Sequence, residues 1–243
     1  MKDMFINLFG KTHIGNYRPE NQDRYLTLIL QEDRAVLAIA DGLGGEANGS
    51  LAAETAIRFL DESIRKAWFK PPDLVRTIQL ANDQILSFSE NDQTLEGIGT
   101  TLTVALIESS RCYWIHVGDS RLFHFSKGKL SQITNDQRFL QEFIDTGDID
   151  LRAVSVHPLR NQLDQCVGMP GVKPSFGDFS LENGDILMLT TDGLHDYILP
   201  AHMASVLKVS PDLPKIADTL IKAAMNAGSR DNLTIVLGLI QKG

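Results

Sequence analysis

The first forty positions of the chain contain runs rich in apolar residues that are typical of β-strands. Three such runs, separated by polar turns, cover Phe5 to Lys11, Arg24 to Leu30 and Arg34 to Ala40. The third run is apolar at nearly every position, which indicates a strand with both faces buried. We therefore predict that this part of the chain forms strands.

The apolar spacing then changes to that of helices. From Ser50 to Trp68, apolar side chains recur every three or four residues, as they do on one face of an amphipathic helix. Pro71 and Pro72 break this pattern and begin a second one, whose apolar stripe ends at Phe88. The sequence thus predicts two consecutive helices.

Strand-like patterns return after residue 97. A meander of strands is predicted at Thr101 to Ile107, Arg111 to Val117, Arg121 to Phe125 and Lys129 to Ile133. Residues 134 to 170 are less regular, with a helical pattern at Phe139 to Asp145, and we interpret them as a flap insertion. The remaining predicted elements are strands at Ser175 to Leu181 and Asp185 to Thr191, a helix at Pro211 to Ala227 and a strand at Leu233 to Ile240.

Strands and helices occur in blocks, which favours antiparallel sheets covered by helices over a doubly wound parallel sheet. The chain has 243 residues, of which 43% are hydrophobic, so it can bury a sizeable core. We therefore expect an α+β fold, a β-sandwich with helices outside, in a single domain that spans residues 1 to 243.

Charge and composition argue against a nucleic-acid partner and against a membrane segment. The net charge of −8 disfavours a nucleic-acid partner, because affinity for a phosphate backbone needs clusters of Lys and Arg. The longest apolar stretches fall far short of the roughly 20 residues that cross a bilayer, and the first residues do not resemble a signal peptide. Cys112 and Cys166 have neither zinc-site spacing nor a disulfide framework. We expect a cytoplasmic protein without a membrane segment, and a monomer.

Carboxylates stand repeatedly at the edges of the apolar runs. Asp41, Asp119 and Asp192 each follow such a run, and Asp231 shortly precedes one. Strands that lie side by side would crowd these charges, and their repulsion would be costly unless cations lay between them. The pattern predicts a cluster of divalent metal ions.

Each of these motifs also has an ordinary explanation. Asp41 and the glycines after it could be a turn with a helix cap, and the polar run from Arg18 to Asp23 could be a solvated surface turn. Asp119, Asp192 and Asp231 could likewise act only in local turns. Each explanation is plausible for one motif and implausible for all of them together.

The order of the motifs resembles the metal-dependent type 2C serine/threonine protein phosphatases, in their compact bacterial form. The similarity extends over nearly the whole chain and rests on Arg-x-x-Asn-x-Asp at 18 to 23, Ala-Asp-Gly-x-Gly-Gly at 40 to 45, Gly-Thr-Thr at 99 to 101, Val-Gly-Asp-Ser-Arg at 117 to 121, Thr-x-Asp at 134 to 136, Thr-Asp-Gly-Leu at 191 to 194 and Asp-Asn-x-Thr at 231 to 234. The resemblance implies a four-layer α/β/β/α sandwich of two antiparallel sheets flanked by helix pairs, with two Mn²⁺ or Mg²⁺ ions between the sheets.

The resemblance also implies a role for individual residues. Asp41 would bridge the two ions, Gly42 would offer its carbonyl oxygen to one of them, and Asp192 and Asp231 would hold the other. Asp23 would support the site, and Arg18 would bind the substrate phosphate. Asp119 would hold a weaker third ion together with Asp192. Asp136 matches another family carboxylate, whose role is less defined.

The residue types agree with metal-dependent hydrolysis. Oxygen ligands without clustered Cys or His select Mg²⁺ or Mn²⁺ over Zn²⁺, and a metal pair can activate water for in-line attack on phosphorus. Two positions depart from the family: Leu43 and Gln137 stand where relatives have His. The general acid is therefore unassigned, with His157 and His195 as candidate substitutes, although a lone histidine is more often structural.

These observations lead to an expected function and two alternatives. We expect an enzyme that hydrolyses phosphoserine and phosphothreonine in proteins, with a cognate bacterial serine/threonine kinase as its counterpart. A non-catalytic binding module would have lost metal carboxylates, whereas Asp41, Asp192 and Asp231 are all present. A regulatory phosphatase dedicated to one partner, such as an anti-sigma-factor antagonist or a secretion-system component, would share the chemistry and differ in its partner.

Overall fold

The computed structural model describes residues 4–43, 45–66, 71–141, 143, 146–147, 150, 157–159 and 162–242. In this part of the chain the strands are β1 Met4–His13, β2 Arg24–Gln31, β3 Arg34–Ala40, β4 Gly42–Leu43, β5 Gly99–Thr100, β6 Leu102–Glu108, β7 Arg111–Val117, β8 Arg121–Ser126, β9 Lys129–Gln132, β10 Ser175–Ser180, β11 Ile186–Thr190 and β12 Leu233–Lys242. The helices are α1 Gly45–Lys66, α2 Pro71–Asn91, the 3-10 turn Gln93–Leu95, α3 Asp192–His195, α4 Pro200–Val209 and α5 Leu213–Asn226.

The strands form two large sheets, both antiparallel. One five-stranded sheet has the order β1-β12-β11-β8-β9, and the other has the order β10-β7-β6-β3-β2. A small third sheet pairs β4 with β5. The prediction of antiparallel sheets is confirmed.

Alternating side chains along the strands divide the core into layers. In β3, Val36 and Ala38 pack with residues of α1 and α2, whereas Leu37 and Ile39 pack against the other sheet. On the far side, the outer face of the first sheet packs with residues of α4 and α5. Because each sheet buries both faces, the fold is the predicted four-layer α/β/β/α sandwich.

The strand registers bring one end of each sheet to a common edge of the molecule. In the second sheet, Arg24 at the start of β2 pairs with Ala40 at the end of β3. In the first sheet, Thr190 at the end of β11 pairs with Ile235 near the start of β12. The polar residues that flank these strand ends therefore become neighbours.

Two helical regions differ from the sequence-based expectation. Helix α4 was not predicted, because only Met203 and Leu207 of its ten residues are buried and so short an apolar stripe gives a weak periodic signal. Helix α5 begins at Leu213, after the capping residue Asp212, whereas the predicted helix began at Pro211. The helix predicted at Phe139 to Asp145 lies partly outside the described residues.

Over the residues that the structure describes, none of the helices combines the length and the apolar character that crossing a bilayer requires.

Candidate metal and phosphate site

Five carboxylates, called the carboxylate rim below, flank strand ends of the two sheets. Asp23 precedes β2, Asp41 follows β3, Asp119 lies between β7 and β8, Asp192 follows Thr191 after β11, and Asp231 lies just before β12. The structure thus brings together Asp residues that are far apart in the sequence. The antiparallel registers place them there, since each residue stands at the end of a strand that reaches the common edge.

Burial and mutual repulsion both oppose the ionisation of the rim carboxylates. Burial raises the pKa of Asp41 well above its usual value, and the nearby charges of the other four rim carboxylates raise it further. Burial likewise raises the pKa of Asp192 well above normal, and Asp119 and Asp231 add to the effect. Without a cation among them, the rim carboxylates oppose one another's ionisation.

Asp23 is the most deeply buried carboxylate of the rim. Its Oδ2 accepts hydrogen bonds from Thr191 Oγ1 at 3.0 Å and from Thr234 Oγ1 at 2.5 Å. Its Oδ1 is buried and has no hydrogen-bond partner. Burial raises the pKa of Asp23 to about 7, against the opposing effect of the two hydroxyl donors. An unpartnered buried carboxylate oxygen is a free acceptor that a cation or its bound water can satisfy.

Glycine lets the backbone beside Asp41 pass close to a helix. A Cβ on Gly42 would lie 2.3 Å from the carbonyl oxygen of Gly49 in α1, so any side chain there would force the two apart. The main chain of Asp41 is fixed as well, because its N–H donates to Thr101 Oγ1 and its carbonyl accepts from Thr100 Oγ1, both at 2.9 Å. The turn that carries Asp41 is therefore held rigidly.

Asn232 ties the loop before β2 to the start of β12. Its Nδ2 donates to the carbonyl oxygens of Ile14 at 2.9 Å and Glu20 at 3.0 Å, and its Oδ1 accepts from the N–H of Gln22. A Cβ on Gly193 would lie 2.0 Å from the carbonyl oxygen of Asn232, which shows how closely this segment passes α3. Asn232 thereby positions the loop that carries Arg18 and Asp23.

Arg18 lies against the carboxylate rim at an open position. Its Nη2 donates to Asp231 Oδ2 at 2.7 Å, and half of its side-chain surface, 50%, is exposed. The hydrogen bond to Asp231 raises the pKa of Arg18, and the charges of Asp41 and Asp192 contribute to the rise. The guanidinium is thus fully charged, close to the rim and accessible from solvent.

On the other side of the rim, Asp119 is paired with an arginine that sequence reasoning missed. Arg138 Nε donates to Asp119 Oδ2 at 2.8 Å. Burial raises the pKa of Asp119, and the charge of Arg138 opposes that rise. Asp136 accepts from Arg121 Nε at 2.8 Å and from Arg121 Nη2 at 2.6 Å, so it serves as the bidentate partner of a largely buried arginine.

The two candidate histidines have local partners. His195 is buried, its Nδ1 lies 2.9 Å from Thr190 Oγ1, and burial with the nearby charges of Arg121 and Arg138 lowers its pKa well below normal. It is therefore a neutral core residue at physiological pH, which argues against its serving as a general acid. His157 Nδ1 accepts from the N–H of Leu159 at 3.1 Å, a local contact within its turn.

The donor atoms of the rim fit a hard divalent cation. Within the described part of the chain, no three His, Cys, Asp or Glu side chains converge tightly enough to enclose an ion as they stand. Even so, the rim offers only oxygen ligands, its carboxylates resist joint ionisation, and Asp23 Oδ1 lacks a partner.

Several residues of the site were not singled out from the sequence, although they lie near recognised motifs. Thr191 and Thr234 bind Asp23, Asn232 fixes the loop before β2, and Arg138 binds Asp119. The two threonines and the asparagine stand inside motifs that had been noted for their aspartates. The signal available for them was a polar residue at the end of an apolar strand, whereas Arg138 gave no signal of its own.

Comparison with known proteins gives consistent matches. Residues 9–234 match the sequence profile of the family described as protein phosphatase 2C. The serine/threonine phosphatase stp of Listeria innocua serovar 6a is 31% identical over 247 residues, which cover 96% of this chain and 96% of that protein.

Solved structures agree with the sequence matches. The serine/threonine phosphatase of S. agalactiae has a TM-score of 0.90 and 28% identity, and the match covers 97% of this chain and 99% of that one. The catalytic domain of the serine/threonine protein phosphatase PstP, solved in complex with 2 manganese ions, has a TM-score of 0.87 and 28% identity over 98% of this chain and 99% of that one. The matches confirm the resemblance that the motifs suggested.

Proposed function

The chain belongs to the protein phosphatase 2C family, and from that premise we propose that its carboxylate rim binds divalent ions for the hydrolysis of phosphoserine and phosphothreonine in proteins. The family is metal-dependent, and its bacterial members are serine/threonine protein phosphatases. The observation that carries the proposal is the crowding of buried, mutually repelling carboxylates beside the accessible Arg18.

The proposed ligand set follows the positions of the rim residues. Asp41, whose charge interacts with all four other rim carboxylates, would be shared between two ions, and the carbonyl oxygen of Gly42 would bind one of them. Asp192 and Asp231 would hold the second ion, and Asp23 would support the site from its buried side. Mn²⁺ and Mg²⁺ both suit such oxygen ligands. When bound, the ions would lower the pKa of a water molecule that attacks the phosphorus.

Arg18 would hold the phosphate of the substrate. A guanidinium offers several N–H donors in one plane, so it can keep one contact with Asp231 and direct other donors to phosphate oxygens. Because half of its side chain is exposed, a phosphorylated residue of another protein can reach it. Arg18 thereby orients the phosphorus towards the rim.

Protonation of the leaving serine or threonine oxygen is a separate requirement. Leu43 has no proton to transfer, and the buried neutral ring of His195 is unsuited to act as an acid. We therefore assign the general acid to no side chain of the rim and propose that solvent supplies this proton. The proposal predicts that replacing His157 or His195 changes the rate of hydrolysis only slightly.

The substrates would be proteins phosphorylated on serine or threonine by a cognate kinase. The rim lies at an edge of the sandwich where strand ends meet, which suits a phosphorylated segment presented by another protein. We propose that the chain acts as a monomer, because Arg18 and the rim carboxylates all come from one chain.

Purified protein tests the proposal directly. With Mn²⁺, it should hydrolyse a phosphothreonine peptide and p-nitrophenyl phosphate, and a chelator should abolish both reactions. Asp41→Asn should lower kcat by roughly 1000-fold, which corresponds to about 4 kcal/mol of transition-state stabilisation. Asp178→Asn is the matched control, because Asp178 lies in β10 and forms an exposed ion pair with Arg111 of β7. This variant should hydrolyse both substrates at the wild-type rate.

Absence of turnover on both substrates in Mn²⁺ would refute the proposed activity. Calorimetric titration with Mn²⁺ separates the alternative of a non-catalytic binding module, because a protein with a broken site should bind the ion weakly or not at all.

A further inference from the structure

Arg138 is a buried arginine that bridges two carboxylates next to the proposed metal site. Its Nε donates to Asp119 Oδ2 at 2.8 Å, and its Nη2 donates to Asp196 Oδ2 at 2.9 Å. Its Nε also lies 3.8 Å from Asp136 Oδ2. Only 16% of its side-chain surface and 7% of that of Asp119 are exposed, so the contact between these two residues is little screened by water.

A second arginine completes an alternating cluster of charges. Arg121 binds Asp136 through two hydrogen bonds and lies 3.7 Å from Asp196 Oδ1. The cluster contains three carboxylates, of Asp119, Asp136 and Asp196, and the guanidinium groups of Arg121 and Arg138. Its formal charge is therefore close to balance, and it would lose one positive charge without Arg138.

The backbone of Arg138 is held in place independently of its side chain. Arg138 pairs with Leu163 in an isolated antiparallel bridge, and the N–H of Phe139 donates to the carbonyl oxygen of Gln162 at 2.8 Å. These contacts join two stretches of the predicted flap. The guanidinium therefore reaches Asp119 from a fixed position at the neck of that segment.

We infer that Arg138 is a built-in counter-ion of Asp119, which takes the place of a third metal ion and leaves the protein with two. The sequence resemblance had assigned Asp119 to a weaker third ion shared with Asp192. In this chain the carboxylate of Asp119 already accepts a charge-assisted hydrogen bond from a guanidinium.

A third ion would have to compete with this arrangement. To bind Asp119 Oδ2 it would have to break the hydrogen bond from Arg138 Nε, and it would then lie beside a largely buried guanidinium. Because both charges are positive and close together, the exchange is unfavourable.

The inference rests on the proposed function only in taking a divalent ion as the ligand of the rim. A measured number of bound ions other than two would contradict the inference even if the protein hydrolyses its substrate. Conversely, a protein that binds two ions but does not hydrolyse the substrate would contradict only the proposed function. The two failures are therefore distinguishable.

The experiment counts ions bound to the full chain by equilibrium dialysis against Mn²⁺ followed by elemental analysis. Wild-type protein should saturate at two ions per chain. Arg138→Gln should bind a third ion at least roughly tenfold more tightly than wild type, because a positive charge a few Å away has been removed. Arg138→Lys keeps the charge and should stay at two ions. Arg111→Gln, at an exposed ion pair with Asp178, is the control and should also stay at two.

Two outcomes would overturn the inference. One is a wild-type protein that takes up three ions, and the other is an Arg138→Gln variant that folds and still takes up only two. If Arg138→Gln does not fold, Asp119→Asn decides the question. That variant should bind two ions, as wild type does, whereas a drop from two ions to one would show that Asp119 holds an ion and would overturn the inference.

Discussion

Two arginine–aspartate pairs lie on opposite sides of the carboxylate rim and differ in their exposure to water. Arg18 and Asp231 keep 50% and 32% of their side-chain surfaces exposed, whereas Arg138 and Asp119 keep 16% and 7%. The hydrogen-bond lengths are nearly equal, at 2.7 Å and 2.8 Å. Distance alone therefore does not distinguish the two pairs.

The difference shows how burial assigns separate tasks to the same ion pair. An exposed pair is weak, because water and salt screen it, so Arg18 can shift towards a phosphate, with or without its contact to Asp231, at little cost. A buried pair is costly to separate, because each partner would leave an uncompensated charge in the interior. We therefore regard Arg18 as the exchangeable cation of the site and Arg138 as the permanent one.

The largest expected effect separates the two pairs by stability. Arg138→Met should lower the free energy of unfolding by about 3 kcal/mol, because it leaves Asp119 buried without its cation. Arg18→Met should lower it by less than about 1 kcal/mol. Urea denaturation in the presence of a chelator measures both values. Equal losses for the two variants would remove the distinction that we draw.

The second expected effect concerns substrate binding. Arg18→Lys should lower kcat/KM for a phosphothreonine peptide by about 30-fold, because an ammonium cannot reproduce the planar contacts of a guanidinium. Most of the loss should appear in KM, since phosphate binding precedes the chemical step. Steady-state kinetics in Mn²⁺ gives both constants, with Arg111→Lys as the matched control. An unchanged KM would place the phosphate away from Arg18.

The smallest expected effect concerns Asp23, which has hydroxyl donors and no arginine of its own. Its pKa is raised from 3.8 to about 7, so between these values the folded state binds more protons than the unfolded state. The stability of metal-free protein should therefore fall as pH rises from about 4 to about 7.

We expect the contribution of Asp23 to this fall to be about 2 kcal/mol, since neighbouring carboxylates share the protons. Thermal unfolding in a chelator, compared between wild type and Asp23→Asn, isolates it. The variant should show a flatter pH dependence over this interval, and Mn²⁺ should flatten the wild-type curve too. Parallel curves for wild type and variant would contradict the prediction.

The sequence contained enough information to predict the sandwich and the position of the rim. The strand bounds at Arg24, Arg34, Arg111 and Arg121 agree with the predicted starts, because apolar runs in these strands end sharply at polar turns. Asp residues at the ends of such runs could be assigned to one edge once antiparallel sheets were expected. Local patterning was sufficient there.

The remainder depended on contacts between segments that are distant in the sequence. Helix α4 has too few buried residues for a periodic signal, and its stability comes from packing on the outer face of the first sheet. The pairing of Arg138 with Asp119 and Asp196 is set by the bridge to Leu163, which no local pattern encodes. Asp136 is a structural partner of Arg121, and the sequence alone does not show that these two side chains are neighbours.

The pairing of β1 with β12 has a mechanical consequence. Their ladder runs from Met4 opposite Lys242 to His13 opposite Leu233, so the outer ends of both strands lie together. A force that pulls these two ends apart acts along the hydrogen bonds between the strands. It therefore breaks these bonds one after another, and a low force is sufficient. Opening would start about 30 Å from Asp231, since each of the ten residues adds about 3.3 Å. Tension on the ends would thus reach the site last.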